Sequence, residues 1–297
     1  MAGTDSERLF WETRLLKMYP FAAGPLLLAV VACSVRTSSA QVEPSIDPSA
    51  APMPYRFEVV SSDPVEHGAR LSAVLGCVGC HTPDLTGEDW SEPGLGVLWT
   101  ANLTRSAAAY SEDELATMIA EGKRPDRALM DMPSYLFSEL HPDDLAALVI
   151  YLKSLPAKGV RHPDPTIGPK LAEHIASGDF KDSVQWVAEM KGKAPPDLGP
   201  EHAFARFLLR ATCAECHGMD LQGSTEQLMD APPRPTLRIV AAYSVEGFST
   251  LMKTGKPIGD RELKLMGGVS RWRYSRLTDG EIKAVYDYLA ELARLSP

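Results

Sequence analysis

The chain has 297 residues, enough for two domains of ordinary size, and its 44% hydrophobic and 23% charged residues exclude a disordered polymer. The formal charge is −9; residues 1–40 hold three acids and four bases, so their removal takes it to −10. Such a balance argues against a nucleic-acid partner and suits either a basic docking surface on another protein or simple solubility.

In chain order, Arg8, Arg14 and Lys17 precede an apolar run over residues 21–33, and Ser38-Ser39-Ala40 offers a small-residue cleavage site. This pattern predicts a targeting segment over residues 1–40 and a periplasmic location. The run is short for a spanning helix. Cys33 closes Val-Val-Ala-Cys, which resembles a bacterial lipoprotein box with Val30 where Leu is commoner, so the segment or a lipidated Cys33 is a candidate membrane tether. Residues 41–61 are Pro-rich, with too little periodic apolar content to pack, and read as a flexible tether.

The remainder repeats itself. YSEDELATMIAEGK at 110–123 is answered by YSVEGFSTLMKTGK at 243–256, LHPDDLAALVIYL at 140–152 by LTDGEIKAVYDYL at 277–289, and CVGCHTPDLTG at 77–87 by CAECHGMDLQG at 213–223. The near-constant offset predicts two homologous domains, 62–156 and 197–297, joined by a connector over 157–196 with one short helix at 182–190. Apolar spacing predicts amphipathic helices over 66–75 and 143–152, the second started by His141-Pro142-Asp143-Asp144 and stopped at Pro156. No segment alternates with period 2, so the fold class expected is all-α with long loops.

Cys-x-x-Cys-His has the spacing of a c-type haem attachment site, and random placement of these Cys and His residues gives only about 0.002 copies per chain. On a helical turn Cys77 and Cys80 share a face and reach the two vinyl edges of a haem while His81 turns beneath the iron; Cys213, Cys216 and His217 repeat this. A zinc site is disfavoured because adjacent Cys80 and His81 are poorly placed to grip one ion together and a four-cysteine site would leave both histidines unexplained. A redox dithiol would need a βαβ setting. Two covalently bound haem c groups are therefore expected, with His81 and His217 as axial ligands.

A thioether on the far side of the iron gives a closed, electron-transferring site. Met132, in a loop 51 residues after His81, is the first candidate, with Met130 its substitute. Met266, in the Gly-rich stretch LMGGVSR 49 residues after His217, is its counterpart, whereas Met219 and Met229 sit too near the attachment motif. Met118 and Met252 align with Leu251 and Ile119, which marks them as core. The remaining histidines read as surface or capping residues.

Each half resembles a class I cytochrome c domain, and the resemblance covers nearly everything from about residue 63 to 295. The first half is similar to a domain of the multihaem cytochrome c subunits of membrane-bound alcohol and sugar dehydrogenases, through GCVGCHTPDLTG, ANLT at 101–104, EGKRPDRALMDMPSY and DDLAALVIYLKSLP. It implies two tandem domains, haem ligation by His81 with Met132 and by His217 with Met266, and single-electron relay from a donor dehydrogenase to an acceptor oxidase or carrier of the respiratory chain. The family's Pro-Asn pair survives only in halves, as Ala101-Asn102-Leu103 and Pro235-Thr236-Leu237, and Arg127 replaces an expected Gly. Gly68 lets the opening helix approach Tyr151, while Phe204 at the aligned site implies a different crossing in the second half. Arg105 and Arg234 are candidates to neutralise haem propionates. The chain reads as an electron carrier rather than a catalyst; the alternative is a dihaem peroxidase with one open iron.

Overall fold

The computed structural model describes residues 55–224 and 234–295, so the expected leader, most of the tether, Cys33 and Met229 lie outside the described residues. The first half holds α1 (Pro64–Val74), α2 (Cys77–His81), α3 (Leu103–Ala109), α4 (Glu112–Glu121), α5 (Ser134–Phe137) and α6 (Pro142–Ser154). α7 (Pro169–Ser177) and α8 (Ser183–Glu189) follow, then α9 (Ala203–Thr212), α10 (Ala214–His217), α11 (Val245–Thr254), α12 (Lys264–Trp272) and α13 (Asp279–Arg294). Among the described residues extended pairing is confined to isolated bridges such as Asp89 with Trp99 and Ser224 with Arg234.

Local chemistry sets most of these boundaries. The Asp63 carboxylate accepts from the Val65 amide at 2.8 Å to open α1, and α4 and α13 open with reciprocal capping boxes, Ser111 with Glu114 and Thr278 with Glu281. His141 opens α6, its Nδ1 accepting from the Asp143 amide at 3.2 Å. α4 and α11 both stop at a left-handed glycine, Gly122 and Gly255, where a side chain would be strained.

α1 crosses α6 at Gly68, where a Cβ would lie 2.0 Å from the Ala147 carbonyl oxygen and 2.7 Å from Tyr151 Cβ. The second half differs, as Phe204 implied: Tyr288 of α13 is fully buried, donates to the Pro196 carbonyl at 2.6 Å and meets His202 edge-on at 5.8 Å. Both halves contribute to one continuous hydrophobic cluster running from Phe57, Leu71 and Leu148 to Leu208, Tyr288 and Leu289.

Two expectations need correction. The end of the predicted tether is packed: Phe57 is fully buried against Phe207, ring centroids 5.4 Å apart, and successive amides of Phe57 and Glu58 donate to Asp144 at 2.8 Å and Glu281 at 3.0 Å. Those acids open α6 and α13, so one extended arm ties the halves together; a single aromatic anchor with backbone bonds leaves no periodic trace. The connector holds two helices, not one. Leu171 of α7 packs on Leu95 and Leu98, the Thr166 amide donates to the Val97 carbonyl at 3.0 Å, and the Ser183 amide to the Leu129 carbonyl at 2.9 Å. α7 escaped notice because Leu171 is its only buried side chain.

The halves are also latched by arginines. Arg70 pairs with buried Glu281 and donates to the Arg276 carbonyl at 3.0 Å, while Arg210 donates to the Leu136 carbonyl at 3.1 Å.

Substituting Gly68→Ala overpacks the α1–α6 crossing and should destabilise the protein by about 1–3 kcal/mol in guanidinium unfolding. Gly247→Ala in α11, whose Cβ would meet nothing nearer than Ser244 Oγ at 3.5 Å, should gain about 0.5–1 kcal/mol. Coincident unfolding midpoints for the two variants would contradict this packing.

Candidate functional site

Cys77 and Cys80 lie one turn apart on α2, which starts at left-handed Gly76 and ends at His81. The chain then leaves the helix sharply through Thr82, and the repeated D-L-x-G tail shapes the exit. Asp84 closes a tight turn, its Oδ1 accepting from Thr82 Oγ1 and Thr86 Oγ1, each at 2.7 Å. Leu85 adopts a left-handed φ of 60° yet is almost fully buried, and its carbonyl accepts from the Leu103 amide at 2.8 Å. Gly87 returns its amide to the His81 carbonyl at 2.9 Å; a Cβ there would lie 2.3 Å from the Thr100 carbonyl oxygen.

The second half repeats this almost atom for atom. Cys213 caps α9, Cys216 and His217 lie on α10, and Asp220 Oδ1 accepts from the Gln222 amide at 3.1 Å. Leu221, φ 59° and fully buried, accepts from the Leu237 amide at 2.9 Å, and the Gly223 amide donates to the His217 carbonyl at 2.8 Å. Among the described residues, all three non-glycines with positive φ, Thr82, Leu85 and Leu221, lie in these tails. Each conformation costs about 1–3 kcal/mol, which for the two leucines is offset by burying the side chain, worth about 1.5–3 kcal/mol.

The loop carries the next stretch of chain over the imidazole. His81 Nδ1 lies 2.8 Å from the Ala101 carbonyl oxygen, and His217 Nδ1 lies 2.9 Å from that of Pro235. A carbonyl only accepts, so Nδ1 carries the proton and Nε2 presents its lone pair. The broken Pro-Asn signature is therefore immaterial at this contact: the backbone oxygen acts, while Asn102 and Thr236 cap the following turns. Burial lowers the pKa of both imidazoles, opposed by the Ala101 carbonyl at His81 and by the Pro235 carbonyl at His217, where Arg234 adds to the lowering, so the neutral, ligating form is favoured. Burial also pushes the Cys77 thiol up to about 11 and raises that of Cys213.

Among the candidate thioethers, Met132 and Met266 are half-buried against the main cluster that also holds Cys77 and Cys213. Met130 packs instead on the separate Leu95, Leu98 and Leu171 cluster, away from these groups. Met118 and Met252 are buried within α4 and α11, as their alignment implied, and Met219 packs on the main cluster. Met266 is not in a loop: it sits in the first turn of α12. Gly255 lets α12 approach closely, since a Cβ on it would lie 2.3 Å from the Gly267 carbonyl oxygen. Arg105 is engaged elsewhere, donating to the Gly159 carbonyl at 2.7 Å. His67 is no surface residue: it is buried, with Nε2 3.0 Å from Asp144. Sequence reasoning missed Arg273, which donates to the Val74 carbonyl at 2.7 Å and pairs with Glu215 at 3.1 Å. Its only signal was a charge at a repeat position that Leu136 fills in the first half.

The cytochrome c family model matches residues 65–156 and 205–293. The chain belongs to the cytochrome c family, as two tandem all-α domains, and its site chemistry is that of covalently bound haem c and electron transfer. It is similar to the cytochrome c subunits of the quinone alcohol dehydrogenases of Gluconacetobacter polyoxogenes and Komagataeibacter europaeus, at 24% identity over 269 residues in each case. That similarity covers 78% of this chain, which spans 57% of the length of those relatives. The residues fit the group: paired thiols one helical turn apart, an imidazole oriented through its second nitrogen, and an apolar wall beside each.

Asp84 supplies a pH test of the tail. Hydrogen bonds from Thr82, then Thr86, with nearby Lys158 assisting, lower its carboxyl from 3.8 to about 2. A depressed carboxyl stabilises the fold fully above 3.8, and that contribution is lost as pH falls towards about 2. Asp84→Asn should lower stability at neutral pH and flatten the acid limb across this window; an acid-unfolding profile parallel to the parent's would contradict it.

Proposed function

We propose that this chain is an exported, periplasmic dihaem c-type cytochrome that relays single electrons from a dehydrogenase towards the respiratory chain. The observation that carries this reading is the duplicated tie from histidine to backbone carbonyl, made identically behind both Cys-x-x-Cys-His segments. Cys77, Cys80, Cys213 and Cys216 would hold the porphyrins, His81 and His217 would ligate one side of each iron, and Met132 and Met266 the other. When bound, haem c supplies a one-electron ferric–ferrous couple. The chain's own part is to fix each imidazole and exclude water with the apolar cluster, so that little rearranges when an electron arrives.

The donor follows from the relatives, named as cytochrome c subunits of quinone alcohol dehydrogenases, and the net charge of −9 suits a basic face on a soluble acceptor. Attachment to the membrane through the N-terminal segment or a lipidated Cys33 would keep the relay beside its donor.

Matured in an export-competent host, the protein should carry two haems per chain by pyridine haemochrome assay and intact mass, both low-spin with a Met-to-iron charge-transfer band. Met132→Ala and Met266→Ala should each remove roughly half of that band. One haem per chain would overturn the dihaem relay, and a high-spin parent protein that turns over peroxide would overturn it in favour of the peroxidase-like alternative.

A further inference from the structure

A single buried cation touches both attachment segments. Arg273 caps the end of α12 and is 4% exposed. Its Nε donates to the carbonyl of Val74, three residues before Cys77, at 2.7 Å, and its guanidinium lies flat against Gly76, where a Cβ would be 2.9 Å from Cζ. On the other side Nη1 meets Glu215 at 3.1 Å, between Cys213 and Cys216. The guanidinium also stands over the Tyr274 ring at 5.5 Å, and the Tyr274 hydroxyl donates to the carbonyl of Thr212, beside Cys213, at 2.8 Å.

Latching the halves together does not account for this residue. Arg210 performs that task nearby with every guanidinium nitrogen engaged: Nε on the Lys193 carbonyl at 3.2 Å, Nη1 on the Leu136 carbonyl at 3.1 Å, Nη2 on Ser138 Oγ at 3.3 Å. Nη2 of Arg273 is buried with no hydrogen-bond partner. Desolvating a guanidinium costs several kcal/mol, recovered only through good geometry and fully satisfied donors. The first half fills the corresponding position with Leu136, so a neutral, apolar solution exists in the same fold.

We propose that Arg273 is an electrostatic bridge between the two haem sites, a fixed positive charge that raises the midpoint potential of both at once. The inference rests on the proposed haem attachment at both motifs. Each reduction adds one electron and removes one positive charge from a site, with no proton required. A neighbouring cation therefore disfavours the ferric state more than the ferrous, and burial strengthens the effect. Glu215 opposes it, chiefly at the second site, whose helix it occupies.

The test is spectroelectrochemical titration of the full haem-loaded chain. Arg273→Gln should lower both midpoints by an amount equivalent to about a tenfold change in each one-electron equilibrium constant, about 59 mV. Arg273→Lys, which keeps the charge, should restore most of the shift. Glu215→Gln should move the second midpoint upward, the opposite sign. Arg210→Gln, which removes a buried charge beside the second attachment segment alone, should lower stability and leave the first midpoint in place. Unmoved potentials in Arg273→Gln, or movement of one alone, overturn the bridge; if that variant loads no haem, an unmoved second potential in Glu215→Gln overturns it independently. Haem content and the charge-transfer band of the parent protein report separately on the attachment reading.

Discussion

The contact on which the sites depend is the hydrogen bond from each histidine Nδ1 to a backbone carbonyl, Ala101 behind His81 and Pro235 behind His217. It chooses the tautomer, so Nε2 becomes the ligating atom, and it fixes the ring's rotation. For that carbonyl to arrive, the chain must leave the helix immediately after the histidine, turn back, and run over the imidazole. Thr82, Leu85 and Gly87 achieve this in the first half, and Gly218, Leu221 and Gly223 in the second, with left-handed backbone at each position. The D-L-x-G tail is thus the return path that presents the acceptor, and its repetition follows from the repeated histidine.

Strain of this kind persists only if the surroundings over-determine it. Here the anchors are Leu85 and Leu221, held in the shared core, and the returned amides of Gly87 and Gly223. The same core joins the halves, so the geometry of one site is coupled mechanically to that of the other. The arm at Phe57 strengthens the coupling, because the successive amides of Phe57 and Glu58 donate to Asp144 and Glu281, the acids at equivalent places in α6 and α13. Surface ion pairs contribute little by comparison: Lys283 with Asp287, both well exposed, is worth about 0.3–0.5 kcal/mol.

What the sequence revealed and what it hid divide along the range of the interaction. α1 and α6 were legible because apolar periodicity, and for α6 its start and stop signals, are encoded within a few residues, and the attachment motif was legible because it is itself local. The close crossing at Gly68 was readable from the repeat, since a glycine opposite Tyr151 faced Phe204 in the copy. Phe57, α7 and Arg273 were not, because their partners lie far away in the chain and no spacing rule encodes them. Met266 was placed in a loop because two glycines follow it; the first of them packs on Gly255, where a Cβ would lie 2.3 Å from the Gly267 carbonyl oxygen, and a close approach looks in sequence like a turn.

The most informative differences are those between two copies of one fold. Where both copies agree, in the pentapeptide, the tail and the histidine's carbonyl, the agreement marks what holding the cofactor requires. Where they diverge, the constraint comes from joining them. Gly122 of the first copy packs on Ser183 of the connector, whereas its counterpart Gly255 packs on α12, so α8 covers in the first half what α12 covers in the second. Likewise the apolar Leu136 gives way to Arg273, and Val74 to Arg210, and both arginines donate to carbonyls of the opposite half. A duplicated domain that functioned alone would have no use for either charge. Their burial, against the cost of desolvation, argues that the two copies act as one unit with their attachment segments facing each other.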